Sequence, residues 1–316
     1  MKKRELGKSG IQVDPFCFGG NVFGWTANEK TSFELLDAYV DNGFDFIDTA
    51  DVYSGWVPGN KGGESETIIG DWLKKSGKRD KVIIATKVGK PMGPDKKGLS
   101  KTYITKAVEG SLKRLKTDHI DLYQSHDDDK STPLTETLEA YTALIKAGKV
   151  RAIGASNYSG ARLQEALEAS KKNGLASYQT IQPEYNLYSR EIYETDLEQI
   201  CLENNIGVIT YYSLASGFLT GKYRSEADLA QSKRGGGIKK FLNERGFRIL
   251  AALDEISKEY NTTPAGVSLA WLISRPGITA PIASATSIKQ LKEIINSATI
   301  RLSEEAIELL NLASNY

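Results

Sequence analysis

The chain has 316 residues, 40% of them hydrophobic and 26% charged, the balance of an ordinary globular protein long enough to bury a large core. Forty-one basic residues against forty acidic ones leave a net charge of +1, which gives no electrostatic footprint for nucleic acid or an anionic membrane. No run approaches a membrane span, and the opening MKKRELGKSGIQVD lacks the apolar stretch of a signal peptide, so neither nucleic acid nor membrane is an expected partner and a cytoplasmic location is expected.

In chain order, residues 3–15 (KRELGKSGIQVDP) predict a hairpin of two strands around GKSG. FDFID (44–48) reads as a strand and is followed by a helix with Ile68, Ile69, Trp72 and Leu73 on one face. KVIIATKVG (81–89) precedes a helix with Ile104, Ala107, Val108, Ser111, Leu112 and Leu115 in register, capped by Ser100. HIDLYQSH (119–126) leads to a helix with Pro133 as its first residue and Gly148 at its close. KVRAIGASN (149–157) precedes a helix bearing Leu163, Ala166 and Leu167, and SYQTIQPEYN (177–186) and IGVITYYSL (206–214) are further strands. The segment 221–246, with Gly-Gly-Gly at its middle, has little periodicity and reads as a long lid or binding loop, the alternative being a disordered insertion. TAPIAS (279–284) supplies the last strand.

Strand–helix alternation implies parallel strands with right-handed crossovers, and strands apolar throughout imply that both faces are covered. No Gly-x-Gly-x-x-Gly follows the first strand. The predicted fold is therefore α/β, a (β/α)8 TIM barrel with the N-terminal hairpin closing its floor, spanning 1–316 as one domain.

Four chemically active side chains fall at or just past the carboxyl ends of strands, the face on which such barrels carry their sites. They are Asp48, Tyr53, Lys87 and His126. An ammonium beside a phenol favours the phenolate, so Lys87 is expected to lower the pKa of Tyr53 and fit it to protonate an alkoxide. Asp48 would hold Lys87, and His126 would orient a carbonyl. Nothing in the set supplies a hydride, so a cofactor must. The acids at 127–130 (DDDK) have no histidine or cysteine partners at metal-ligand spacing, so no metal is expected. Cys17 and Cys201, both in apolar contexts, read as buried free thiols.

With these residues in place, the chain resembles the aldo-keto reductase superfamily from about residue 4 to about 300. Asp48, Tyr53, Lys87 and His126 match that family's catalytic tetrad. GASNYS (154–159), IQPEYN (181–186) and TYYSLASGFLTGKY (210–223) are similar to its coenzyme-binding segments. The resemblance implies that Ser156, Asn157 and Gln182 meet a nicotinamide carboxamide and that Tyr211 stacks on the ring. It implies that Ser213, Leu214, Gly217, Leu219, Gly221 and Lys222 wrap a pyrophosphate, with Asn21, Ser284, Thr286 and Gln290 completing the site. It implies NADP(H) as coenzyme, with NAD(H) as the alternative because SATSIKQ (284–290) lacks the expected arginine. The expected activity is reversible reduction of aldehyde or ketone carbonyls, the partner being a small-molecule carbonyl or alcohol. The alternative is a nucleotide-binding regulatory barrel similar to potassium-channel β subunits. Substrate identity and oligomeric state are not encoded in any motif read here.

Overall fold

In the computed structural model, which describes residues 2–233 and 235–316, eight parallel strands close into a barrel. They are β3 (Cys17–Gly19), β4 (Phe46–Asp48), β5 (Ile83–Val88), β6 (Ile120–Ser125), β7 (Val150–Ser156), β8 (Thr180–Gln182), β9 (Gly207–Thr210) and β10 (Ile278–Ala283), with β10 pairing both β9 and β3. Helices α1 (Glu29–Asp41), α2 (Glu64–Ser76), α3 (Lys101–Leu115), α4 (Leu134–Lys146) and α5 (Gly160–Asn173) return the chain between successive strands. A π-helical turn at Tyr193–Leu197 runs into α6 (Glu198–Asn204) after β8. Two helices, α7 (Glu244–Glu259) and α8 (Pro264–Ser274), fill the connection after β9, and α9 (Ile288–Asn296) and α10 (Glu304–Ala313) follow β10.

Period-two alternation sorts each strand. Outward residues such as Ile47, Ile84 and Tyr123 join the large core beneath the helices. Phe46, Ala85 and Leu122 point the other way and meet Cys17, Ala152, Ile209 and Ala280 inside the barrel. Leu6, Ile11 and Val13 of the hairpin, β1 (Arg4–Glu5) paired with β2 (Gln12–Val13), pack into that same cluster. The hairpin is thus an apolar plug in the barrel floor. One step further up the same inward faces, two residues after Phe46, Ala85 and Leu122, stand Asp48, Lys87 and Gln124.

Several strands are shorter than their sequence patterns: only 180–182 of 177–186 and 207–210 of 206–214 pair as strand. Pro183, which has no N–H to donate, ends the first of these. Pro133 caps α4, which begins at Leu134 rather than at the proline itself. The region 221–246 is not structureless: 3₁₀ turns occupy Glu226–Gln231, Gly235–Gly237 and Lys239–Phe241. Ile238 and Phe241 are buried, and α7 starts within the segment, capped by Asn243. Both cysteines are buried and free.

Gly7 seats the plug. Its φ is +61°, and a Cβ there would sit 2.1 Å from the carbonyl oxygen of Gln179. Gly7→Ala should therefore destabilise the protein by roughly 1–3 kcal/mol, read from the urea midpoint at unchanged slope, while a Gly10→Ala control, where a Cβ meets nothing within 4 Å, should cost less.

Candidate active site

Lys87 is 0% exposed, and an ammonium in that position is tolerated only if its donors are satisfied. Nζ donates to Asp48 Oδ2 at 2.5 Å, to the Thr49 carbonyl at 2.8 Å and to the Tyr53 hydroxyl at 2.9 Å. All three acceptors belong to the β4 end and the loop after it, so one side chain from β5 pins that whole loop. Asp48 is held from its other side: Oδ1 accepts from Gln182 Nε2 at 2.9 Å and from Gln124 Nε2 at 3.3 Å. The inward faces of β4, β5, β6 and β8 thus carry one buried polar layer above the apolar plug.

The phenol does not behave as the spacing of charges suggested. Burial pushes the Tyr53 pKa up to about 12; Lys87 pulls it down and Asp48 adds to the rise, and desolvation wins. Tyr53 is a neutral phenol throughout the ordinary pH range. Lysine has no acceptor, so at their contact the phenol oxygen accepts, which leaves the phenolic proton for a group in the cavity. Burial works against charge on Lys87 as well, but Asp48 and Tyr53 outweigh it and its pKa is raised. His126 is driven the other way, well below its usual range, by burial and then by the positive fields of Lys87 and Lys90. It is a neutral imidazole 5.8 Å, centroid to centroid, from the Tyr53 ring.

These groups open into a cavity of about 1140 Å³. Of the residues singled out in the sequence, Asp48, Tyr53, His126, Asn21, Ser156, Asn157, Gln182, Tyr211, Ser213, Leu214, Gly217, Lys222, Ser284, Thr286 and Gln290 line it. Lys87 lies just below its surface, Leu219 is fully buried, and Gly221 is not among the lining residues. Asn157, at φ +58°, links two walls: Nδ2 donates to the His126 carbonyl and to Asp127, and Oδ1 accepts from the Tyr211 hydroxyl at 2.8 Å. Past β9 the chain takes left-handed conformations at Tyr212, Ala215 and Ser216 as it curves along the cavity. At the far end Ser287 caps α9, and Gln290 returns to accept from Thr286 N and Oγ1. Ser284 donates to Asn21 Oδ1 at 2.6 Å.

The other end is aromatic. Trp25 and Trp56 meet edge to face at 5.7 Å, and Trp56 lies against Tyr53. Sequence reading missed Gln124, an amide inside an apolar strand with nothing titratable to mark it. It also missed Glu293, which lines the cavity near Gln290, and Ser232, Lys233, Thr263 and Pro264, brought in from the segment after β9. Glu293 stands one helical turn after Gln290 and could have been found from that spacing. Among the described residues no group of three or more His, Cys, Asp or Glu could hold a metal, and no helix is long and apolar enough to cross a membrane.

A barrel with this rim matches the model of the aldo/keto reductase family over residues 15–314. The chain belongs to that family. It is 38% identical over 319 residues to the uncharacterized oxidoreductase YrpG of Bacillus subtilis (strain 168), covering 98% of this chain and 95% of the relative. It is 33% identical over 309 residues to a probable voltage-gated potassium channel subunit beta of Arabidopsis thaliana, covering 95% and 92% of the two chains. It is 30% identical over 315 residues to the aldo-keto reductase yakc [NADP(+)] of Schizosaccharomyces pombe, covering 96% and 89%. Family membership makes this chain an oxidoreductase, in a family that generally uses NAD(P)H.

Removing the ammonium tests the geometry without any ligand. Lys87→Met strands Asp48 as a buried, unpaired carboxylate, a loss of about 3–5 kcal/mol, and deletes the group that lowers the Tyr53 pKa. Chemical denaturation should show the destabilisation. Spectrophotometric titration, referenced to Tyr53→Phe, should move the Tyr53 phenol above its wild-type position of about 12; an unmoved phenol would refute the coupling.

Proposed function

We propose that the protein is a nicotinamide-dependent reductase that converts aldehyde or ketone carbonyls to alcohols, reversibly, with Tyr53 as general acid. The observation that carries this reading is the contact between Lys87 and Tyr53: a buried, protonated phenol accepting from an ammonium, its own proton free for an acceptor in the cavity. A carbonyl oxygen beside Tyr53 and His126 takes hydrogen bonds from the phenol and the neutral imidazole, which fix its position. A reduced nicotinamide, when bound, supplies the hydride that no side chain here can. As charge gathers on the substrate oxygen, Tyr53 passes its proton to it, and Lys87 stabilises the phenolate left behind. Asp48 keeps Lys87 charged and aimed.

The residues present fit such a coenzyme. Gln182 and Asn157 have committed their N–H groups to Asp48, Gln124, His126 and Asp127. What they retain is acceptor capacity, suited to the N–H groups of a carboxamide. Tyr211 offers a ring held in place through its hydroxyl. Ser213, Leu214, Gly217 and Lys222 line the stretch toward Ser284, Thr286 and Gln290, where an adenosine end would lie, with Leu219 and Gly221 supporting that stretch from within. NADPH is the preferred coenzyme in this reading, NADH the alternative: Lys222 and Lys233 favour a phosphate, whereas Gln290 and Glu293 do not. The aromatic wall of Trp25 and Trp56 suits apolar or planar substrates. The relatives named as channel β subunits support a second reading, a nucleotide-binding regulatory barrel. An aldehyde panel with NADPH, followed by absorbance, separates the two, since a purely regulatory barrel would leave the coenzyme unoxidised.

Tyr53→Phe should lower kcat on the order of 10² to 10⁴ while coenzyme binding, followed by fluorescence, hardly changes, because the lost proton acts only in the transition state. Retention of more than about a tenth of the wild-type rate, one decade or 1.36 kcal/mol, would remove Tyr53 from the acid's role.

The coenzyme preference should be modest. One missing charge-assisted contact corresponds to about 1.5–3 kcal/mol, so the NADPH-to-NADH affinity ratio should stay below about a hundredfold. Gln290→Arg should raise NADPH affinity and leave NADH affinity nearly unchanged. An equal gain for both coenzymes would show that position 290 does not face the extra phosphate.

A further inference from the structure

Beneath the loop that carries Tyr53 lies a second buried cluster, and its charges do not balance. Asp51 sits between Asp48 and Tyr53, 1% exposed, and neither carboxyl oxygen has a hydrogen-bond partner among the described residues. The charged and titratable groups that face it are Glu66 on α2, Arg114 and Tyr103 on α3, Tyr141 on α4, Lys87 on β5 and Tyr123 on β6. Glu66 is fully buried and fully engaged: Arg114 Nε donates to Oε2 at 2.6 Å and Thr86 Oγ1 donates to Oε1 at 2.6 Å.

The guanidinium is seated by the absence of side chains. A Cβ at Gly63 would come within 2.5 Å of Arg114 Cδ, and one at Gly70 within 2.0 Å of the Arg114 carbonyl oxygen. Lys87 is committed to Asp48, Thr49 and Tyr53. Two carboxyl groups therefore face one guanidinium, and the hydrogen bonds assign it to Glu66. An ionised carboxylate left in that position without a counter-charge of its own is strongly disfavoured.

We propose that Asp51 is held as a neutral carboxylic acid and acts as a positioning residue, keeping the loop from Asp48 to Tyr53 seated on Lys87. The Asp51 N–H donates to the Lys87 carbonyl at 3.3 Å, so a shift of Asp51 is felt where β5 presents its ammonium. Burial and then the Glu66 charge push the Asp51 carboxyl up to about 8, against the pull of Arg114, the Val52 N–H and Lys87. The folded-state value lies above the unfolded one of about 3.9. Stability from this group is thus complete below the unfolded value and lost as pH rises through about 8. The effect on rate rests on the role proposed for Tyr53; the protonation does not.

Three measurements test this. Infrared difference spectra of wild type against Asp51→Asn at pH near 6.5 should show one protonated-carboxyl C=O stretch lost in the variant. Glu66→Gln should also remove it, because Arg114 is then free to pair with Asp51 and draw off its proton. The wild-type melting temperature should fall more steeply than that of Asp51→Asn between about pH 5 and 8, the difference levelling off above about 8. In the reductase assay, wild-type kcat should drop roughly tenfold between about pH 7 and 9 beyond any loss the variant shows. If Asp51→Asn fails to fold, the wild-type band and its behaviour in Glu66→Gln decide. Absence of that band in wild type, its persistence in Glu66→Gln, or parallel pH profiles would overturn the proposal. A protein inactive on all carbonyls would sink the reductase reading and leave the infrared and melting tests intact.

Discussion

One buried ammonium organises the upper half of this barrel. Lys87 cannot stay charged inside the protein without three acceptors, and each acceptor it takes comes from the end of β4 or the loop beyond. The requirement runs outward from there. Asp48 must be fixed to serve as counter-ion, which engages the amides of Gln182 and Gln124. Tyr53 must bring its oxygen to Nζ, which buries the phenol and holds its proton firmly. His126 stays neutral because burial, and then the Lys87 charge, oppose imidazolium. The site's protonation pattern is set first by burial, with the charge of Lys87 opposing it at Tyr53 and reinforcing it at His126.

That placement was legible in the sequence because it is written in strand periodicity. Apolar runs ending in Asp48, Lys87 and His126 mark strand tips, and alternation puts Asp48 and Lys87 on the same inward side as Phe46 and Ala85. What the sequence could not carry is burial. The sign of the Tyr53 shift depends on how much water reaches the phenol, and the charges alone pointed the other way. Gln124 went unseen because an amide becomes informative only once its neighbours across the barrel are known. The strands at 177–186 and 206–214 were read too long because beyond Gln182 and Thr210 the pairing thins to one isolated bridge, Glu184 with Tyr211, before each chain turns into its loop.

The network of Asp51, Glu66, Arg114 and Thr86 was wholly hidden, since its members come from four separate elements, the three charged ones look like ordinary surface charge alone, and Thr86 looks like a plain strand residue. Small residues were the available trace: Gly63 and Gly70 stand where side chains would collide with Arg114. The segment after β9 was legible as unusual, but its lack of periodicity did not show whether it was ordered. Ile238 and Phe241, buried beneath its turns, give it an anchor of its own.

The hairpin's apolar plug has a consequence for traffic. With Leu6, Ile11 and Val13 filling the floor, the barrel axis is closed at one end, and the cavity lies at the other. Two ligands sharing that cavity must use the same doorway. Where one ligand would lie over the other, the deeper would have to arrive first and depart last.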